Sequence, residues 1–191
     1  MIRIAFRSFL IAGIVALGGW SPQTAAAQQA SPSGAAPSVT PAARPADVAS
    51  MDAIMAAVYD VISGPKGQKR DWDRMRSLFV PGARLIPTHA DASGITTTSM
   101  LSVEDYIRRA GPTLEGQGFF ERETHRTVER CGAIAQVFST YDSRHAATDA
   151  EPFQRGINSF QLLFDGQRWW VVTIYWQAAS AELPIPKQFG G

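Results

Sequence analysis

The sequence predicts an α+β domain in which helices from the first half of the chain cover one face of a sheet built by the second half. Three observations predict it. Residues 155–177, RGINSFQLLFDGQRWWVVTIYWQ, read as two strands folded back on each other through Asp165-Gly166, a dipeptide suited to a type I′ turn because such a turn needs positive φ at both central residues. Apolar residues recur at helical spacing before Gly111 and in long β-rich runs after Gly118, and helices followed by a strand meander argue for α+β architecture. At 191 residues, 45% hydrophobic and 18% charged, the chain has material for one domain with a substantial core.

The first 27 residues stand apart from that domain. Arg3 and Arg7, the apolar run 9–19 (FLIAGIVALGG) and the small residues Ala25-Ala26-Ala27 form the three parts of a secretory signal peptide, with cleavage expected before Gln28. The apolar run is short for a bilayer span, and Trp20 stands where a lipobox would need its cysteine, so the membrane is expected only as the barrier crossed during export. The expected location is periplasmic or secreted. Residues 28–46 hold four prolines and little that can be buried, and read as a disordered Pro/Ala-rich linker. The domain is expected over 47–180, with a C-terminal tail over 181–191.

Within the domain, Val48, Met51, Ile54, Met55, Val58 and Ile62 recur at helical spacing behind Asp47 or Ser50 as cap, and Gly64-Pro65 ends the helix. Asp71-Trp72-Asp73 opens a second helix carrying Met75, Leu78 and Phe79, which Pro81-Gly82 ends ahead of a strand over 83–87. Residues 88–99 read as a loop or an edge hairpin. Ser102, with Glu104 and Asp105 in the following turn, caps a third helix that Gly111-Pro112 is expected to disrupt. Long strands follow over 119–130 and 133–145, then a polar loop and the final hairpin.

The words of the sequence resemble a known family at this point. WDRMRSLFVPGARL (72–85), a short helix, and a long-stranded meander ending in F-DG-RWW-V-IYW (164–176) resemble the nuclear transport factor 2-like (NTF2-like) superfamily, in particular its SnoaL-like bacterial members, over residues 47–177. The resemblance implies an NTF2-like cone: three N-terminal helices covering a curved, mostly antiparallel sheet, with a cavity between them. It implies no single activity, since isomerases, dehydratases, cyclases and non-catalytic binding domains share such a fold.

Strand alternation then gives candidate lining residues. Trp170, Val172, Ile174 and Trp176 share a face of the last strand, and Gly156, Asn158, Phe160, Leu162 and Phe164 share a face of its partner. A two-residue turn at Cys131-Gly132 pairs Glu129 with Ile134, Thr127 with Gln136 and His125 with Phe138. By similarity to the steroid isomerase branch, the face bearing Ile134, Gln136, Phe138, Phe160, Trp170 and Trp176 looks into the cavity, and His125 with it. The opposite face, bearing Arg122, Arg126, Val128, Val137 and Tyr141, is the expected surface of a possible homodimer.

The expected ligand is a small hydrophobic or aromatic molecule held by Gln136, Phe138, Phe160, Trp170, Ile174 and Trp176. His125 is the candidate acid or base, with Glu123, Glu129 or Asp142 to orient it. Asn158 is a candidate donor to a developing oxyanion. Tyr59 falls where the steroid isomerases resembled here place their oxyanion-stabilising tyrosine, while its helical spacing reads first as that of a core tyrosine. The steroid isomerase mechanism itself is rejected: alignment puts Pro87 and Phe160 where the two catalytic carboxyl groups should stand. His89, His125 and His145 lie on separate segments without metal-ligand spacing, and no phosphate loop or nucleophile elbow is present, so neither metal nor cofactor is expected. A formal charge of +1 without a Lys/Arg run gives nucleic acid nothing to bind. Cys131, the one cysteine, forms no intramolecular disulfide and reads as a small residue at a strand end. Two functions stay open: a binding domain for a small apolar molecule, and a cofactor-independent lyase or isomerase using His125.

Overall fold

The computed structural model describes residues 40–91 and 93–191. The signal peptide and most of the linker expected from the sequence lie outside the described residues. A short helix α1, Pro45–Val48, leads into α2, Met51–Ile62, and α3, Trp72–Leu78. The sheet contains β1 (Phe79–Ala90), β2 (Thr96–Thr98), β3 (Phe120–Cys131), β4 (Ile134–Arg144), β5 (Gln154–Phe164) and β6 (Trp169–Ala178), with α4 (Val103–Gln117) between β2 and β3. The fold is α+β: helices lie on one face of a six-stranded sheet of order β2-β1-β6-β5-β4-β3. Among the described residues only the β1–β6 pair is parallel.

Helix α2 starts because the Ser50 side chain accepts the Ala53 N–H at 3.0 Å, removing one of the orphan donors of its first turn. Its buried stripe of Ile54, Met55, Val58, Tyr59, Val61 and Ile62 meets the sheet. Phe160 from β5 is fully buried in that core, a contribution of about 3 kcal/mol by transfer. Arg70 ties the end of α2 to α4: its guanidinium donates to the carbonyls of Ile62, Gly64, Gln68 and Leu114 at 2.7–3.0 Å.

Three local expectations are corrected. Helix α4 does not stop at Gly111-Pro112 but runs to Gln117. The Ser102–Asp105 capping box starts it, and Gly111 lets Trp72 approach so closely that an added Cβ would stand 3.2 Å from the indole. Packing past the proline thus offsets the one backbone hydrogen bond it removes. Strand β1 begins at Phe79, through Pro81-Gly82, with a register irregularity before Arg84 where those residues interrupt regular pairing. The Asp165-Gly166 turn is a four-residue loop, since Phe164 pairs with Trp169. There Asp165 accepts the N–H groups of Gln167 and Arg168 through its side chain, and positive φ falls on Gly166 alone, so the turn is not type I′.

Which face each strand presents is set by register and two bulges. The β3–β4 turn is Gly132-Ala133, with Cys131 opposite Ile134 and Glu129 opposite Gln136. Val137 pairs with Phe160, Ser139 with Asn158 and Tyr141 with Gly156. The inner, helix-covered face of β4 therefore carries Ala135, Val137, Ser139 and Tyr141, while Ile134 and Phe138 are exposed. An extra residue in β3 between Glu123 and His125, and another in β6 between Val171 and Thr173, reverse the alternation at those points. The dimer surface expected from Val137 and Tyr141 is corrected accordingly, because both residues are buried in the core.

The outer face is partly covered by the C-terminal tail. Beyond β6 the chain ends in a 3-10 turn, Lys187–Phe189. Thr140 donates to the Phe189 carbonyl at 2.6 Å, the Phe138 and Phe189 rings stand 5.0 Å apart, and Gly190 lies against the His125 ring.

Candidate functional site

Between the inner sheet face and the helices lies a cavity of about 310 Å³. Val58 and Ile62 of α2, Phe160 of β5, and Ile174 and Trp176 of β6 give it apolar walls, and Tyr59, Tyr106, Glu121, Tyr141, Ser143 and Asn158 bring polar groups to it. The outer face has a cleft of about 380 Å³ beneath the tail, lined by Phe138, Ile157, Tyr175, Leu183 and Ile185 among others. In that cleft, hydrogen bonds from its own backbone N–H and from Ser180 hold the Glu182 carboxyl below the usual carboxylate range. The inner cavity instead gathers groups whose pKa burial raises.

Glu121 is its centre. It enters from the first residues of β3, and Ser143 of β4 donates to its carboxyl at 2.9 Å. Part of its surface faces the cavity, yet protein encloses it densely enough that burial dominates its titration. Burial, with a smaller contribution from the charge of Asp142, raises its pKa to about 7 against the pull of hydrogen bonds from Ser143 and Asn158. Tyr59, Tyr106 and Tyr141 are all pushed above the usual phenol range, first by burial and then by the charge of Glu121. Three phenols thus surround one carboxyl group.

The hydrogen bonds divide the phenols into two kinds. Asn158 donates to the Tyr59 oxygen at 3.1 Å. Ser139 donates to Glu123 at 2.5 Å, so its oxygen is left to accept the Tyr59 proton across 2.6 Å. The Tyr59 proton is therefore directed away from the cavity, not towards a ligand oxygen. Tyr106 and Tyr141 have no hydroxyl partner among the described residues, and their oxygens are the donors open to a ligand. Gly156 makes room for the second of these: an added Cβ would fall 2.4 Å from the Tyr141 hydroxyl oxygen and 2.5 Å from the Gln177 carbonyl.

Of the residues selected from the sequence, Tyr59, Asn158, Phe160, Ile174 and Trp176 meet at this cavity. His125, Gln136, Phe138 and Trp170 do not, and their expected inward placement is corrected. His125 sits opposite Thr140 on the outer face beneath Gly190. Gln136 donates to Ser159, and Phe138 meets the tail. Trp170 donates to Asp165 at 2.6 Å with Arg168 over its ring, because the β6 bulge turns Trp169 and Val171 inward instead. The sequence reading missed Glu121 altogether. Glu121 and His125 are four residues apart and would share a face in a regular strand, but the bulge puts them on opposite faces. The available signal was Glu121 two residues beyond Phe119, which also lines the cavity.

No family model matches the chain, and no curated protein does. Among solved structures it is similar to an NTF2-like protein of Silicibacter pomeroyi, 14% identical over 68% of this chain and 93% of that one, TM-score 0.48. An NTF2-like protein of Methylobacillus flagellatus is 15% identical over 69% and 95%, TM-score 0.45. An NTF2-like superfamily protein of Salmonella enterica is 10% identical over 70% and 84%, TM-score 0.44. At these levels the similarity carries no functional assignment, and what the site does is argued from its own residues.

Proposed function

We propose that this protein binds a small apolar or aromatic molecule bearing an oxygen function in the cavity between sheet and helices, and that Glu121 exchanges a proton with it. One observation supports the reading above the rest: a carboxyl group with a pKa of about 7 in a cavity walled by Phe160, Ile174 and Trp176. Apolar walls with a few convergent polar groups suit such a ligand. Tyr106 and Tyr141 offer donors to its oxygen, and near neutral pH Glu121 both gives and takes a proton. That same property favours a second reading, a cofactor-independent lyase or isomerase. Its acid or base is then Glu121, since His125 is on the other face of the sheet.

The test is calorimetric titration with 2-naphthol and a cyclic enone across pH 5–9, using the wild type, Glu121→Gln and Trp176→Ala. The expected result is binding weakened by Trp176→Ala, with a pH dependence centred near 7 that Glu121→Gln removes. Identical pH profiles for wild type and Glu121→Gln would overturn the role of Glu121, and binding indifferent to Trp176→Ala would overturn the site. We further propose, from residues 1–27, that the protein is exported. N-terminal sequencing of the periplasmic protein should begin at Gln28, and retention of Arg3 and Arg7 refutes this.

A further inference from the structure

Tyr59 and Glu121 line two spaces at once. One is the inner cavity, and the other is a groove of about 450 Å³ on the far side, where Asp60, Glu123, Arg126 and Arg144 are found. A continuous row of hydrogen bonds crosses between them: Asn158 to Tyr59 at 3.1 Å, Tyr59 to Ser139 at 2.6 Å, and Ser139 to Glu123 at 2.5 Å. Every donor points the same way, from cavity to groove. Its direction is fixed by its end, because Arg126 donates to both Glu123 oxygens at 2.5–3.0 Å and a carboxylate so held only accepts. Ser139 is completely buried, and the Glu123 side chain keeps 21% of its exposure in the groove.

We infer that Tyr59, Ser139 and Glu123 form a proton relay from the cavity to the groove, with Glu123 as its outlet. The step balances at each oxygen. A proton leaving the ligand forms a bond to the free lone pair of Tyr59 Oη; the Tyr59 proton passes to Ser139 Oγ; the Ser139 proton passes to Glu123 Oε1, which releases it to water. The Arg126 charge is not stranded when Glu123 takes up the proton, because Arg126 also bonds Asp52. Glu121 stands on the same partition but outside the row, so the site holds two separate proton-handling groups. One is a carboxyl facing the ligand, and the other is a phenol whose proton has an exit. That pair suits moving a proton between two atoms of one ligand. The relay depends on the proposed function only for the identity of the proton's source.

Its test therefore uses no ligand. In protein carrying ¹³Cζ-labelled tyrosine, dissolved in equal parts H₂O and D₂O, a hydroxyl that exchanges slowly gives two Cζ lines and one that exchanges fast gives a single averaged line. Tyr59→Phe assigns the Tyr59 resonance. The expected result is one averaged line in the wild type, two lines in Ser139→Ala and in Glu123→Gln, and a return to one line in Ser139→Thr, which restores a hydroxyl. Two lines in the wild type, or one line in all four proteins, would overturn the relay. Splitting in Ser139→Ala without splitting in Glu123→Gln would overturn Glu123 as the outlet. Since the probe is the phenol itself, the relay can fail while ligand binding stands, and the reverse.

Discussion

Replacing Glu121 with glutamine should change the pH dependence of stability in a way no other titratable group reproduces. The folded pKa of Glu121 is about 7 against an ordinary 4.5, so between those values the native state binds a proton that the unfolded chain releases. Its contribution is least unfavourable below pH 4.5 and becomes more destabilising as pH rises, levelling off above 7. Integrating the linkage, the wild type loses about 0.2 kcal/mol at pH 4, about 2 kcal/mol at pH 6 and about 3 kcal/mol at pH 8 relative to a neutral side chain at the same place. The assay is urea unfolding of wild type and Glu121→Gln at each pH, taking the difference so that every other group cancels. Any constant offset reports the altered hydrogen bonds to Ser143 and Asn158, and the slope reports the proton. A difference that stays flat from pH 4 to 8, or rises in favour of the wild type, refutes the burial of Glu121 as the source of its raised pKa.

Other perturbations test the frame around the site. Gly156→Ala drives a methyl against the Tyr141 hydroxyl and the Gln177 carbonyl, and should cost about 1–3 kcal/mol in thermal or urea unfolding; an unchanged midpoint would contradict the close approach. Arg70→Ala removes a donor from four carbonyls at the α2–α4 junction, of which Gly64 keeps the Phe119 N–H, and should cost about 3 kcal/mol, with Arg70→Lys restoring only a fraction because an ammonium lacks the fork. His125→Ala should leave affinity at the inner cavity unchanged by calorimetry, as its ring lies on the other side of the sheet under Gly190.

The fold was legible because its signals are local and redundant. Ser50 and Ser102 do cap α2 and α4, the apolar stripe of α2 is the buried one, and the strands fall close to where β-rich runs occur. Pro112 misled because a proline's local cost is visible in sequence whereas the packing of Gly111 on Trp72 is not. The site was half legible. Phe160, Asn158, Ile174 and Trp176 were found because alternation holds over the paired segments from Gly156 to Gln161 and from Thr173 to Ala178. Trp170 was lost to the β6 bulge, whereas Glu121 was passed over although a regular strand with His125 inward would turn it inward too. His125, Gln136 and Phe138 were lost to a choice of face that only the pairing of Val137 with Phe160 decides. A single inserted residue carries no compositional mark, and it decides which side chains reach the cavity.

The parallel pairing of β1 with β6, from Phe79 opposite Val171 to Thr88 opposite Gln177, joins the first strand of the sheet to the last. A nascent chain that has already released its helices and β1 cannot finish the cavity wall until the final hairpin has been synthesised. Assembly is committed late, through contacts of large sequence separation that make folding slow.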